Sequence, residues 1–290
     1  MLFLITALWA AEPAEAEAPK IIDRPHLWVR EFGAITVQPV GVIADVAVEA
    51  RAPILRLGGL AFNTTFIGGG ARIAASPAHL DTVARVTVQA IDLLPVTVEG
   101  FVSTYWDSPW GMVPMDQVPG QKMVDRQPLY DANKDFTGNA FGFSIKPTFQ
   151  FKVGRFAAWT NVNFTWMKIQ PRGGTEKWVY EPYRGLVVDY EDMIIDHTSG
   201  AIWEFSDGVG RHLLRIGPAV TGKTVRNTGD TTLMIGAMGQ WRPGKNDVDP
   251  TVLLLIAPYL QDPDFLGPVP YVALAISSAR LIPFRKLPNR

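Results

Sequence analysis

Cysteine is absent from all 290 residues. That excludes disulfide staples, zinc–thiolate centres, iron–sulfur clusters and cysteine nucleophiles. Long apolar runs are missing as well. The N-terminal run Leu2 to Ala11 falls well short of the ~18 residues that a membrane helix needs, and no later stretch supplies them. Charge is sparse: 19% of residues are charged and the net charge is −1, so there is no basic field to attract nucleic acid. The four histidines, His26, His79, His197 and His212, are scattered without the paired spacing of a metal site. Neither a metal nor a resident cofactor is expected. Internal repeats and low-complexity tracts are also wanting.

Apolar residues, by contrast, make up 47% of the chain, and 26 glycines and 23 prolines are spread along it. This composition suits many short extended segments joined by turns. Leu2 to Ala11 is followed by small residues, including Ala14-Glu15-Ala16, which reads as a signal peptide over residues 1–16, although its start carries no Lys or Arg. An acidic, alanine-rich lead-in covers 17–26. An exported and apolar chain without a membrane helix points to a β-barrel.

Period-two alternation is the dominant pattern. From Phe141 to Val153 one face carries Phe141, Phe143, Ile145, Pro147, Phe149, Phe151 and Val153. The other face carries Gly142, Ser144, Lys146, Thr148, Gln150 and Lys152. Thirteen such residues suit a membrane-crossing strand, which needs about ten. Val42 to Arg51, Ala84 to Ala90 and Phe156 to Trp166 repeat the pattern, each setting charged or amide side chains against an apolar face. One face needs water and the other hydrocarbon, which a polar lumen inside a lipid-facing belt provides.

The reading is an all-β fold: a closed antiparallel transmembrane β-barrel over 27–284, with about 12 strands, long extracellular loops and a C-terminal tail over 285–290. Strands are expected at 27–37, 41–51, 60–76, 80–91, 95–106, 141–153, 155–168, 191–206, 210–222, 231–241, 251–260 and 269–280. The last two are apolar on both faces. An even count returns both ends to the periplasm and puts the long connections 107–140 and 169–190 outside. Trp28, Trp106, Trp110, Trp166, Trp203 and Trp241 lie near strand ends, as in an aromatic girdle. Gly68, Gly69 and Gly70 mark a bend or bulge at a barrel corner.

On these features the chain resembles the Gram-negative outer-membrane β-barrel class over about 27–284. FGFSIKPTFQFKV (141–153) carries the resemblance, together with the export signal and a C-terminal approximation to the assembly signal in Tyr271, Ile276, Ile282 and Phe284, which Arg285 to Arg290 overrun. The resemblance implies outer-membrane lipid, lipopolysaccharide and the barrel-assembly machinery as partners, and a small-solute channel or structural surface protein as function.

The lumen-lining candidates are Arg51, Arg85, Gln89, Glu99, Lys146, Gln150, Lys152, Asn161, Asn163 and Arg215, with Asp45, Glu49 and Arg155 beside them. In a narrow barrel such charges pair across the lumen and close it; a selective pore is the competing reading. The alternative function is a barrel-embedded lipid hydrolase of phospholipase or lipid A deacylase type. His197 and Ser199, two apart on a strand, would serve as base and nucleophile on the lipid-facing wall, and Asn161 and Asn163 on the neighbouring strand face the lumen instead. Gly217 to Thr224 (GPAVTGKT) matches the phosphate-loop pattern letter for letter. The turn-forming Val225 to Asp230 behind it leaves no helix N-terminus for a phosphate, so Gly222 and Lys223 are expected in an extracellular turn. Asp189, Glu191, Asp192 and Asp196 form an acidic cluster that suits a solvated loop better than a calcium site.

Overall fold

The computed structural model describes residues 25–37, 41–54, 65–107, 111–115, 137–173, 178–181, 184–206, 212–242, 250–261 and 270–284. The signal peptide, most of the lead-in, Trp110 and the C-terminal tail lie outside them. In chain order the strands are β1 (His26–Val37), β2 (Gly41–Pro53), β3 (Phe66–Ala75), β4 (His79–Gln89), β5 (Pro95–Tyr105), β6 (Val113–Met115), β7 (Thr137–Val153) and β8 (Phe156–Arg172). They continue with β9 (Trp178–Glu181), β10 (Leu186–Asp189), β11 (Glu191–Ser206), β12 (His212–Val225), β13 (Thr231–Trp241), β14 (Thr251–Ala257), β15 (Tyr259–Gln261) and β16 (Tyr271–Pro283).

Twelve of these make one antiparallel wall, each beside its predecessor, with the short β15 continuing β14 along β13. The wall closes because β1 pairs with β16 over its whole length, from His26 opposite Pro283 to Val37 opposite Val272. No edge is left for lipid to meet. Strands of about 11 residues at the usual tilt span roughly the 25 Å of an outer-membrane apolar band.

Burial alternates with the pleat, inverted from a soluble sandwich. Val46 is 50% exposed, whereas Glu49 is 1% exposed. Hydrocarbon-loving side chains face out and charges face in, so the belt requires an apolar solvent. Trp106, Trp203 and Trp241 project outward with it. Trp28 does not: it is buried inside, where the guanidinium of Arg51 lies 4.5 Å from its ring and that of Arg85 lies 5.0 Å away. Position near a strand end gave no information on its face, and cation–π attraction suits it to the charged side.

Two other expectations need correction. Gly222 and Lys223 are within β12, not in a turn; the strand runs to Val225 and the turn follows at 226–229. The ring of His197 occupies the space that a side chain at Gly222 would need, which explains a glycine inside a strand. Arg155 is exposed in the tight 154–155 turn and so does not line the interior. Gly68 to Gly70 carry no bulge, since β3 pairs with both neighbours without a register break. At Gly70 the backbones of β2 and β3 approach so closely that a Cβ would strike the Val48 carbonyl.

The connections 107–140 and 169–190 contribute a second, three-stranded sheet of order β10-β9-β6. Periodicity did not reveal it, because strands of three or four residues are too short to alternate visibly. The turn between β9 and β10 depends on Gly185, whose φ of 67° is open to few other residues.

Candidate functional site in the barrel interior

The interior has an ionic wall with a short hairpin, β9–β10, docked against it. Along the wall, acids and bases on the same or nearby strands form a series of ion pairs. Arg30 Nη2 donates to both Asp45 oxygens at 3.0 and 3.1 Å. Arg72 Nη2 donates to Asp81 at 2.8 Å, and Ser103 Oγ donates to the same carboxylate at 2.7 Å. Lys146 pairs with Glu99. Lys152 Nζ donates to Glu204 at 2.6 Å, and Arg215 Nε lies 2.9 Å from the other Glu204 oxygen.

Glu49 shows how the backbone makes this possible. Glu49, Gly70 and Arg85 lie in one register row on β2, β3 and β4. With no side chain between them, Arg85 Nη2 crosses the row to Glu49 at 2.5 Å, while Arg51 Nε reaches the second oxygen at 3.2 Å. A Cβ at Gly68 would collide with that same carboxylate.

All ten lumen-lining candidates stand on the buried face of the wall. Asn161 donates to Thr148 Oγ1 at 2.6 Å and Asn163 to Asp196 at 3.2 Å, while Gln150 donates to the Asp92 carbonyl at 3.1 Å. The pairings follow the wall between adjacent or next-adjacent strands. The strand twist brings diagonal neighbours within reach of each other, so charges are satisfied locally.

The β9–β10 hairpin, which the sequence reading missed, docks against the inner face of the wall. Its residues Val179, Leu186 and Val188 are fully buried and pack with Phe101, Tyr105, Met167 and Ile194 of the wall, while Tyr180 packs with Val113, Met115 and Val187 of the small sheet. Tyr105 Oη donates to Glu181 at 2.7 Å, and Arg184, 3.2 Å from Glu181, lies 5.1 Å from the Phe101 ring. From β12, Lys223 Nζ donates to the Arg184 carbonyl at 2.6 Å. Val187 N–H donates to Asp230 at 2.8 Å, and Thr228 Oγ1 donates to the Val187 carbonyl at 2.8 Å. Burial pushes the Glu181 carboxyl up, but the Arg184 cation and the Tyr105 hydroxyl outweigh it and hold the group below the usual carboxylate range. Burial raises the Asp230 carboxyl, against the opposing pull of the Val187 and Thr231 N–H groups. The paired signals WVY (178–180) and LVV (186–188) around Arg184-Gly185 were the available clue to this hairpin.

His197 and Ser199 share the outward face with Ile195, Trp203 and Phe205, as their spacing implied. Ser199 Oγ, however, pairs with Thr160 Oγ1 at 2.8 Å, and Asn161 and Asn163 are buried on the opposite face. Lys223 of the phosphate-loop match is buried against the hairpin, and Gly217 marks a close backbone approach to the Ala201 carbonyl. Asp192 accepts from the N–H groups of Asp189 and Asn227, so that part of the acidic cluster organises turns. Among the described residues, no group of three or more potential ligands could hold a metal ion.

No protein-family model and no curated protein sequence matches this chain. Solved structures with a similar fold include the β domain of the Bordetella autotransporter BrkA, at 10% identity and a TM-score of 0.46, covering 90% of this chain and 100% of that one. Acinetobacter baumannii OccAB1 overlaps at 8% identity and TM-score 0.40, covering 93% and 99%. The translocator domain of autotransporter NalP from Neisseria meningitidis overlaps at 10% identity and TM-score 0.38, covering 98% and 99%. Closed register and inverted burial give this chain the architecture of the outer-membrane β-barrel class.

Proposed function

We propose that the chain resides in the outer membrane, in contact with its lipid and lipopolysaccharide, and is placed there by the barrel-assembly machinery. Its role is that of a small-solute channel whose mouth opposite the chain termini is capped at rest by the β9–β10 hairpin. One observation carries the reading. The hairpin is fastened to two separate strands of the wall, by Tyr105 on β5 and by Lys223 on β12, while the named wall charges are held in ion pairs along the wall. A purely structural barrel has no need of a polar wall combined with a separately fastened cap.

Planar-bilayer recording tests this. Wild-type protein is expected to give rare or small current steps. A variant lacking residues 178–189 that still shows the gel mobility of a folded barrel is expected to give steady ones. A folded, hairpin-deleted barrel without reproducible steps would overturn the channel and leave a structural surface protein.

A further inference from the structure

Charged side chains are rare on the outward face of the described strands, and they fall at two places. Lys168, Arg172 and Glu191 lie towards the loop ends of β8 and β11, where water can reach them, and Lys168 pairs with Glu191 at 3.4 Å. Glu31 and Arg280 are placed differently. Both are exposed on the outer face of the closing seam, Glu31 on β1 opposite Ser278 and Arg280 on β16 opposite Val29. Glu31 stands near the middle of β1, with Leu27 and Val29 on one side of it along that face and Ile35 and Val37 on the other. Arg280 lies between Ile276 and Ile282, each about half exposed.

Ionisable groups at membrane depth are costly in hydrocarbon and are normally covered by something polar. The wall itself gives these two little. Glu31 accepts from Ser278 Oγ at 3.0 Å, and neither charge has an ion-pair partner among the described residues. A long arginine side chain can bend towards the headgroups, but a glutamate at mid-strand cannot. Diagonal neighbours on one face of a sheet are about 7–8 Å apart, so acid and base stand side by side as complementary halves of one patch. Gly33 and Ala44, opposite each other next to Glu31, add no bulk and let another surface come close. A two-fold axis along the membrane normal matches such a patch to itself, acid to base, twice over.

We infer that the outer face of the β1–β16 seam is the contact surface between two copies of this chain, with Glu31 of each copy paired to Arg280 of the other. The contact lies outside the wall, so it is independent of the channel proposal: a barrel that never conducts would still dimerise.

The chain has no cysteine, so one placed beside the patch reports the contact directly. In proteoliposomes at high lipid-to-protein ratio, full-length Val29→Cys is expected to give a disulfide-linked dimer on oxidation. Val162→Cys, on the outward face of β8 across the barrel, is expected to stay monomeric. Adding Glu31→Arg or Arg280→Glu to Val29→Cys sets like charges against each other and should lower the dimer yield at least tenfold. Reconstituting those two variants together sets every charge against its opposite and should restore the yield, which pairing confined to one copy would not do. Gel mobility before boiling checks that each variant folds. Crosslinking of Val29→Cys no greater than that of Val162→Cys would overturn the interface. Undiminished yield in both folded charge variants, or no recovery in their mixture, would overturn the Glu31–Arg280 pairing.

Discussion

At the residue scale, the interior is organised by bare positions as much as by charges. Glu49 serves both Arg51 and Arg85, and the second contact crosses Gly70. Glu49→Ala leaves two interior cations without their shared carboxylate. Breaking a buried pair from one side costs about 3–5 kcal/mol, and access of lumen water favours the lower end. Denaturant unfolding in detergent should therefore show a clear drop for Glu49→Ala. Gly68→Ala displaces only the mobile end of the Glu49 side chain, whereas Gly70→Ala meets the Val48 backbone. The second substitution should be the more damaging by the same measurement. None of this was legible beforehand, because alternation assigns a face and says nothing about which charges share it. Trp28 illustrates the limit: proximity to a strand end suggested a girdle, and only the pleat shows it to be inside.

Glu181 gives the hairpin a pH dependence with a definite sign. Its carboxyl titrates below the ordinary value of 4.5 in the fold, so its contribution is present above about pH 4.5 and is lost as pH falls through the folded value. Asp230, raised from 3.8, acts in the opposite sense: its contribution is present at low pH and is lost as pH rises from 3.8 through its folded value. Acidification below about pH 4.5 should therefore loosen the Glu181 end of the cap while the Asp230 end holds. Proteolytic nicking near 178–189 should rise at acid pH in wild type, and Glu181→Gln should be nicked alike at both pH values. Equal resistance of wild type at both would count against the Glu181–Arg184 tie.

At the element scale, the chain's periodicity announced the wall and concealed the cap. Long strands such as β7 and β8 repeat their alternation many times, and their register follows from which face is apolar. The β9–β10 hairpin offers too few residues for a period to show, and its burial comes from docking onto Phe101 and Met167 rather than from its own pattern. Its turn is the sensitive point. Gly185→Val forces a β-branched residue into a left-handed conformation, at a cost of roughly 1–3 kcal/mol. Because the wall does not depend on this turn, the barrel's gel mobility should persist while the cap frays. Bilayer recordings of Gly185→Val should then resemble those of the hairpin deletion.

At the scale of the whole molecule, an apolar exterior around a closed sheet has plain consequences for handling. The protein should require detergent or lipid for solubility and should migrate faster on a gel before boiling than after, since a closed sheet stays compact until heated. Monodisperse behaviour in plain buffer, or circular dichroism dominated by helix, would contradict the fold. The closing seam is also the most distant pairing in sequence: Ser278 Oγ donates to Glu31 at 3.0 Å across a separation of 247 residues. The first strand therefore waits for the last, and no intermediate with fewer strands can hide its backbone from hydrocarbon, where each bare amide costs several kcal/mol. Loss of β16 should thus abolish insertion outright, and would not give a slightly smaller cylinder.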